Sequence, residues 1–117
     1  MARPRKSYPL TNPTLFARDA HLCMYCARQF TPIQLTRDHI LPTSRGGTDR
    51  WENVVCACRR CNQFKANRTP EEANMELIAL PYKPNNAEYL ALTNSSRILG
   101  DQMAFLRSQF SANSRFL

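Results

Sequence analysis

The chain is 117 residues long, the size of one ordinary domain, and 43% of it is hydrophobic. That supports a modest core, which a metal or covalent staple would help to hold. Sixteen basic against nine acidic residues give a formal charge of +7, which favours a polyanionic partner, nucleic acid first and an acidic membrane surface second. No apolar run approaches the roughly 20 residues that span a bilayer. The basic start Met1-Ala2-Arg3-Pro4-Arg5-Lys6 leads into no apolar signal segment, so a cytoplasmic protein with no membrane partner is expected.

Residues 1–12 read as a basic, proline-containing arm. Asn12-Pro13 opens a short helix to about Asp19, with proline at its first position. Residues 21–30 hold Cys23-x-x-Cys26 in a compact turn, a knuckle if metal is bound. His21 beside it reads as a surface or supporting residue rather than a ligand. Residues 35–41 alternate as a strand, 42–53 form a polar loop containing Gly46-Gly47, and 53–57 form a second strand. Cys58-x-x-Cys61 then leads into a helix over about 61–67.

Thr69-Pro70-Glu71-Glu72 is a capping-box pattern and predicts another short helix. Residues 79–86, with two prolines and two asparagines, are a connector. From about 95 to 110 runs the longest helical pattern, with Leu99, Met103, Leu106 and Phe110 on one face, packing on the domain or on a second copy. The centre is thus strand, loop, strand, helix: a ββα unit in an α+β fold with flanking helices. The expected organisation is an arm (1–12), a domain (13–78), and a connector with a terminal helix (79–117). There is no internal repeat.

Five cysteines without a secretory signal argue against a disulfide framework. Cys23, Cys26, Cys58 and Cys61 form two pairs that together make a closed, tetrahedral, structural zinc site. Its four thiolates and one ion would lower the net charge by about 2, leaving it positive. A redox-active pair would need only one Cys-x-x-Cys and a βαβ setting, and neither condition is met. Cys56, in the apolar run Val54-Val55-Cys56-Ala57, reads as a small core residue.

Between the pairs stands Thr36-Arg37-Asp38-His39-Ile40-Leu41-Pro42. Adjacent strand residues point to opposite faces, so Asp38 and His39 share one surface only if the chain bends, and Pro42 with the following loop would supply the bend. Taken with Ser44-Arg45-Gly46-Gly47, Trp51-Glu52-Asn53-Val54-Val55 and Cys58-Arg59-Arg60-Cys61-Asn62, then Lys65 and Arg68, this segment resembles the HNH endonuclease family. The likeness runs from about Phe16 to Glu72 and includes the cysteine pairs of the family's zinc-containing members. It implies a zinc-stapled ββα-metal (His-Me finger) core.

The resemblance also implies roles. His39 matches the general base, Asp38 a ligand of a catalytic divalent ion, and Asn53 the middle asparagine that pins the loop and orients the histidine. The last position of the motif is usually histidine; here it is Asn62, as in the family's Asn-ending variant, and it takes the second ligand role. A carboxylate with an amide carbonyl is a hard oxygen pair, suited to magnesium or manganese. Lys65, three residues after Asn62 on the same helical face, is expected at a phosphate. Arg45, Arg59, Arg60 and Arg68 are expected along the DNA backbone. The resemblance implies hydrolysis of DNA phosphodiesters. With no separate target-recognition domain visible in 117 residues, weak sequence specificity or a partner that supplies it is expected, and a homodimer would bear on whether one strand or both are cut. Two other readings stand beside it: a zinc-stabilised DNA-binding module without catalysis, and a zinc knuckle that recruits a protein.

Overall fold

The computed structural model describes residues 8–94, 107–111 and 114. Most of the expected basic arm, and Leu99, Met103 and Leu106 of the expected terminal helix, lie outside the described residues. Helix α1 spans Asn12–Arg18, strand β1 Leu35–His39, strand β2 Val54–Cys58, helix α2 Arg59–Lys65 and helix α3 Asn86–Asn94. Among the described residues no helix is long and apolar enough to cross a membrane.

Thr11 caps α1, and Thr14 returns a hydrogen bond to the Thr11 backbone, so two otherwise orphaned N–H groups are satisfied reciprocally. The helix stops where Ala20 and His21 take left-handed backbone angles (φ 57° and 59°). The knuckle that follows is stitched on both sides. Met24 N–H donates to Cys56 O at 2.8 Å, and Ile78 N–H donates to Met24 O at 2.8 Å.

β1 and β2 pair antiparallel, with Leu35 opposite Cys58 and His39 opposite Val54. All of β2 is buried, which explains its unbroken run of small and branched apolar residues. It is covered by both α1 and α2. Leu15, Phe16, Leu35, Val54 and Cys56 form the main core cluster. Cys56 is fully buried, as its apolar setting predicts. A second cluster of Cys23, Ala57 and Cys58 packs at the knuckle.

Three elements differ from expectation. α2 begins at Arg59, two residues early, because the Cys58 sulfur accepts Cys61 N–H at 3.4 Å and serves as the cap. The helix predicted after Thr69 is a single turn. Its capping box forms, with Glu72 N–H on Thr69 Oγ1 at 3.3 Å and Thr69 N–H on Glu72 Oε1 at 3.0 Å. Asn74 then turns left-handed (φ 56°), and the chain is drawn back to the knuckle at Ile78. Finally, the segment expected to be only a connector runs into α3, capped by Asn85, whose Oδ1 accepts Glu88 N–H at 2.9 Å.

Candidate active site

Strand alternation sorts the site into two faces of β1. Thr36 and Asp38 face α2; Arg37 and His39 face the loop between the strands. On the α2 side, Thr36 Oγ1 donates to Ala57 O at 2.8 Å, so it must accept the 2.9 Å hydrogen bond from Asn62 Nδ2. That fixes the amide: Asn62 Oδ1 points away from Thr36 and carries no hydrogen bond among the described residues. Asp38 is 4% exposed. Its Oδ2 accepts from the Tyr25 hydroxyl at 2.6 Å and its Oδ1 from Lys65 Nζ at 3.3 Å. Burial, and then the neighbouring Asp38 carboxylate, push the Tyr25 pKa far above the usual phenol range, so this hydroxyl remains a donor.

Lys65 departs from expectation. Instead of standing exposed at a phosphate it is fully buried, and its ammonium also donates to His39 O at 2.8 Å. An ammonium without access to solvent is held by its carboxylate and carbonyl partners, so Lys65 neutralises Asp38 beneath the strand instead of meeting DNA. Arg68 departs similarly. Its guanidinium donates to the carbonyls of Lys65 and Phe64 and stacks 5.1 Å from the Phe64 ring, so it caps the end of α2. Arg45 pairs with Glu72 at the surface. Hydrogen bonds from the Thr69 backbone and from Arg45 hold Glu72 down at about 2. Arg59 and Arg60 are exposed and, with Arg28, line a groove beside the start of α2.

On the loop side, His39 Nε2 lies 2.9 Å from Asp49 Oδ1. Asp49 in turn takes both carboxylate oxygens to Arg37 Nη1, at 2.9 and 3.0 Å. The loop is braced by Asn53, whose Oδ1 accepts Leu41 N–H at 3.0 Å while Nδ2 donates to Leu41 O at 3.1 Å and Thr48 O at 2.8 Å. Gly47 allows the loop to close, because a Cβ there would stand 1.7 Å from Leu41 O.

Cys23, Cys26, Cys58 and Cys61 converge, with their sulfurs all within 4.8 Å of one another. Tetrahedral zinc–thiolate bonds of about 2.3 Å would put sulfurs about 3.8 Å apart, so the set fits one zinc ion. Burial raises the Cys23 thiol, but backbone N–H groups of Cys26, Cys58 and Tyr25 outweigh it and bring it below the usual thiol range. His21 contributes no ligand atom to this cluster.

Three further residues of the site, Tyr25, Arg37 and Asp49, lie outside the motif positions. Tyr25 sits inside the first Cys-x-x-Cys, Arg37 beside Asp38, and Asp49 two residues after Gly46-Gly47. Those positions are the signals available for them.

Fold and site together define a cysteine-clamped ββα domain with a histidine and a carboxylate at the end of its first strand. The profile of the HNH endonuclease family matches residues 23–78. Over that segment, a little under half of its length, the chain is similar to the endonucleases of that family. A stretch of 46 residues, 38% of the chain, is 44% identical to a CRISPR-associated endonuclease Cas9 of Corynebacterium diphtheriae, covering 4% of that protein. Among solved structures, the Type II-C Cas9 enzyme of Actinomyces naeslundii aligns with a TM-score of 0.46 at 20% identity, over 89% of this chain and 13% of that one. The chain therefore spans a small fraction of the relatives it matches.

Proposed function

We propose that this chain is a metal-dependent endonuclease that hydrolyses DNA phosphodiester bonds. The observation that carries the reading is His39, held by its Nε2 at the strand end, with Asp38 and the open Asn62 carbonyl on the opposite face of the same strand. A binding module has no use for a braced imidazole at the end of a strand that also carries an oriented pair of oxygen donors.

The donor set fits a hard divalent ion such as magnesium or manganese. Asn62 presents a carbonyl oxygen, and each oxygen of Asp38 keeps lone-pair capacity beyond its single hydrogen bond. Asp38 and Asn62 would hold such an ion, which would supply neutralisation of the charge that develops at the reacting phosphate.

The remaining work falls to the chain's own groups. His39 accepts a proton from the attacking water as the water oxygen bonds to phosphorus and the bond to the 3′-oxygen breaks. The leaving 3′-oxygen takes a proton from solvent water, so the products carry 5′-phosphate and 3′-hydroxyl ends. Asn53 braces the loop against which His39 rests. Lys65 and Tyr25 fix the Asp38 carboxylate. Arg59 and Arg60, with Arg45 once released from Glu72, contact backbone phosphates and carry little sequence information. Target choice then rests with a partner or with a second copy of the chain.

The test is cleavage of supercoiled plasmid by the purified chain, with and without magnesium or manganese. Cleavage that chelator abolishes, and that His39→Ala lowers at least about 100-fold while DNA binding persists, is the expected result. Plasmid bound but left intact by the wild type under every metal condition would instead establish the non-catalytic binding module.

A further inference from the structure

His39 is the group asked to take a proton, and a neutral imidazole has one lone pair with which to do so. Which nitrogen carries it is decided by what the other nitrogen meets. In this structure Nε2 meets Asp49 Oδ1 at 2.9 Å. An ionised carboxylate can only accept hydrogen bonds. Although its slight burial works the other way, hydrogen bonds to His39 and Arg37 hold the Asp49 carboxyl below the ordinary carboxylate range. Nε2 is then the donor, and the lone pair stands on Nδ1.

The carboxylate is itself fixed. Arg37 Nη1 reaches both of its oxygens, while Arg37 Nε donates to Asn12 Oδ1 at 2.9 Å and Nη2 to Leu10 O at 3.3 Å. Through Arg37 the carboxylate is anchored to the start of α1. Through Thr48 O and Leu41, the loop that carries it is anchored to Asn53. Arg37 and Asp49 are both partly exposed, so the pair does not contribute the burial that would make it a simple core staple. Surface ion pairs contribute about 0–1 kcal/mol to stability, which gives a fold-only role little to explain.

We propose that Asp49, braced by Arg37, is a positioning residue of the reaction: it selects the His39 tautomer with hydrogen on Nε2 and aims Nδ1 at the attacking water. The inference rests on the reading of His39 as general base, and it assigns the orientation of that base to a side chain outside the His39–Asn53–Asn62 set.

The test uses the full chain with Asp49→Asn, Asp49→Ala, Asp49→Glu and His39→Ala. With only two histidines in the chain, long-range ¹H–¹⁵N correlation spectra of the neutral form report the tautomer of each, and His39→Ala assigns the signals. The wild type is expected to show His39 protonated on Nε2. Asp49→Ala should shift that population toward Nδ1–H, and Asp49→Glu should largely restore it. Plasmid cleavage by Asp49→Ala should lose at least about tenfold in kcat with KM within about twofold, and the thermal midpoint should stay close to that of the wild type.

An unchanged His39 tautomer in Asp49→Ala, or wild-type kcat, would overturn the proposal. The same holds if Asp49→Ala loses activity only in step with unfolding while the near-isosteric Asp49→Asn stays folded and keeps wild-type kcat with its His39 tautomer shifted to Nδ1–H. Wild-type cleavage by His39→Ala would instead remove the base assignment, and the tautomer spectra distinguish that failure from this one because they need no turnover.

Discussion

The Tyr25 hydroxyl makes the shorter of the two side-chain contacts to Asp38, 2.6 Å against 3.3 Å from Lys65. Because Asp38 is buried, its Oδ2 has no ready water to replace that donor. Tyr25→Phe should therefore destabilise the domain by about 1–3 kcal/mol, the usual effect of stranding a buried acceptor. Cleavage should fall as well, since a carboxylate held at one oxygen is less well oriented. Urea unfolding and plasmid cleavage check the two effects; unchanged stability with unchanged cleavage would show that the contact is incidental. Tyr25 also illustrates what a sequence conceals at this scale. Asp38, His39, Asn53 and Asn62 are legible because the motif holds them at recognisable spacing. Tyr25 and Asp49 act only through pairings across 13 and 10 residues that the folded strand creates. Spacing puts Lys65 on one helical face with Asn62, but its burial follows from the closeness of α2 to β1, which no spacing reveals.

Between elements, the strongest polar connection is Arg18 with Asp19, both fully buried. Arg18 leaves the last turn of α1 and donates to Trp51 O and Val54 O at 2.7 Å and to Tyr82 O at 3.0 Å. Its guanidinium lies 5.7 Å from the Trp51 ring and 5.4 Å from the Tyr82 ring. Asp19 accepts the Cys56 N–H of β2 at 2.8 Å. One side chain thus ties α1, the entry to β2 and the connector, with planar donors that lysine cannot reproduce. Arg18→Met should destabilise the domain by about 3–5 kcal/mol, because it removes the buried cation that Asp19 faces and the three carbonyl contacts that Arg18 makes. A loss of less than about 1 kcal/mol in urea unfolding would disprove that role. Nothing in the residue pattern marks this pair, since neighbouring opposite charges usually lie on a solvated surface. Helix α3 was missed for a related reason. Its capping box, Asn85 with Glu88, stands in the sequence, but Glu88 is fully buried and accepts from Ser111 at 3.2 Å, so the helix lacks the apolar stripe that marks one.

Across the whole molecule, the cysteine cluster joins two segments that lie far apart in the sequence. Cys23 and Cys26 belong to the knuckle after α1, while Cys58 and Cys61 lie at the junction of β2 and α2. Zinc at this position would lock that junction to the knuckle, and Tyr25, between the first two ligands, would carry the constraint on to Asp38. Metal binding and folding should then be one equilibrium. The purified chain is expected to hold one zinc per molecule and to lose its cooperative thermal transition when a strong chelator removes it. Cys58→Ser should reproduce that loss. Cys56→Ala provides the internal contrast: Cys56 is buried two residues away but lies outside the cluster, so this variant should keep its full zinc content and lose only packing stability. Elemental analysis and thermal unfolding of the three proteins give the answer. A metal-free wild type with an unchanged midpoint would reduce the cluster to a packing feature. A Cys56→Ala protein that loses zinc with Cys58→Ser would move the ligand boundary into β2.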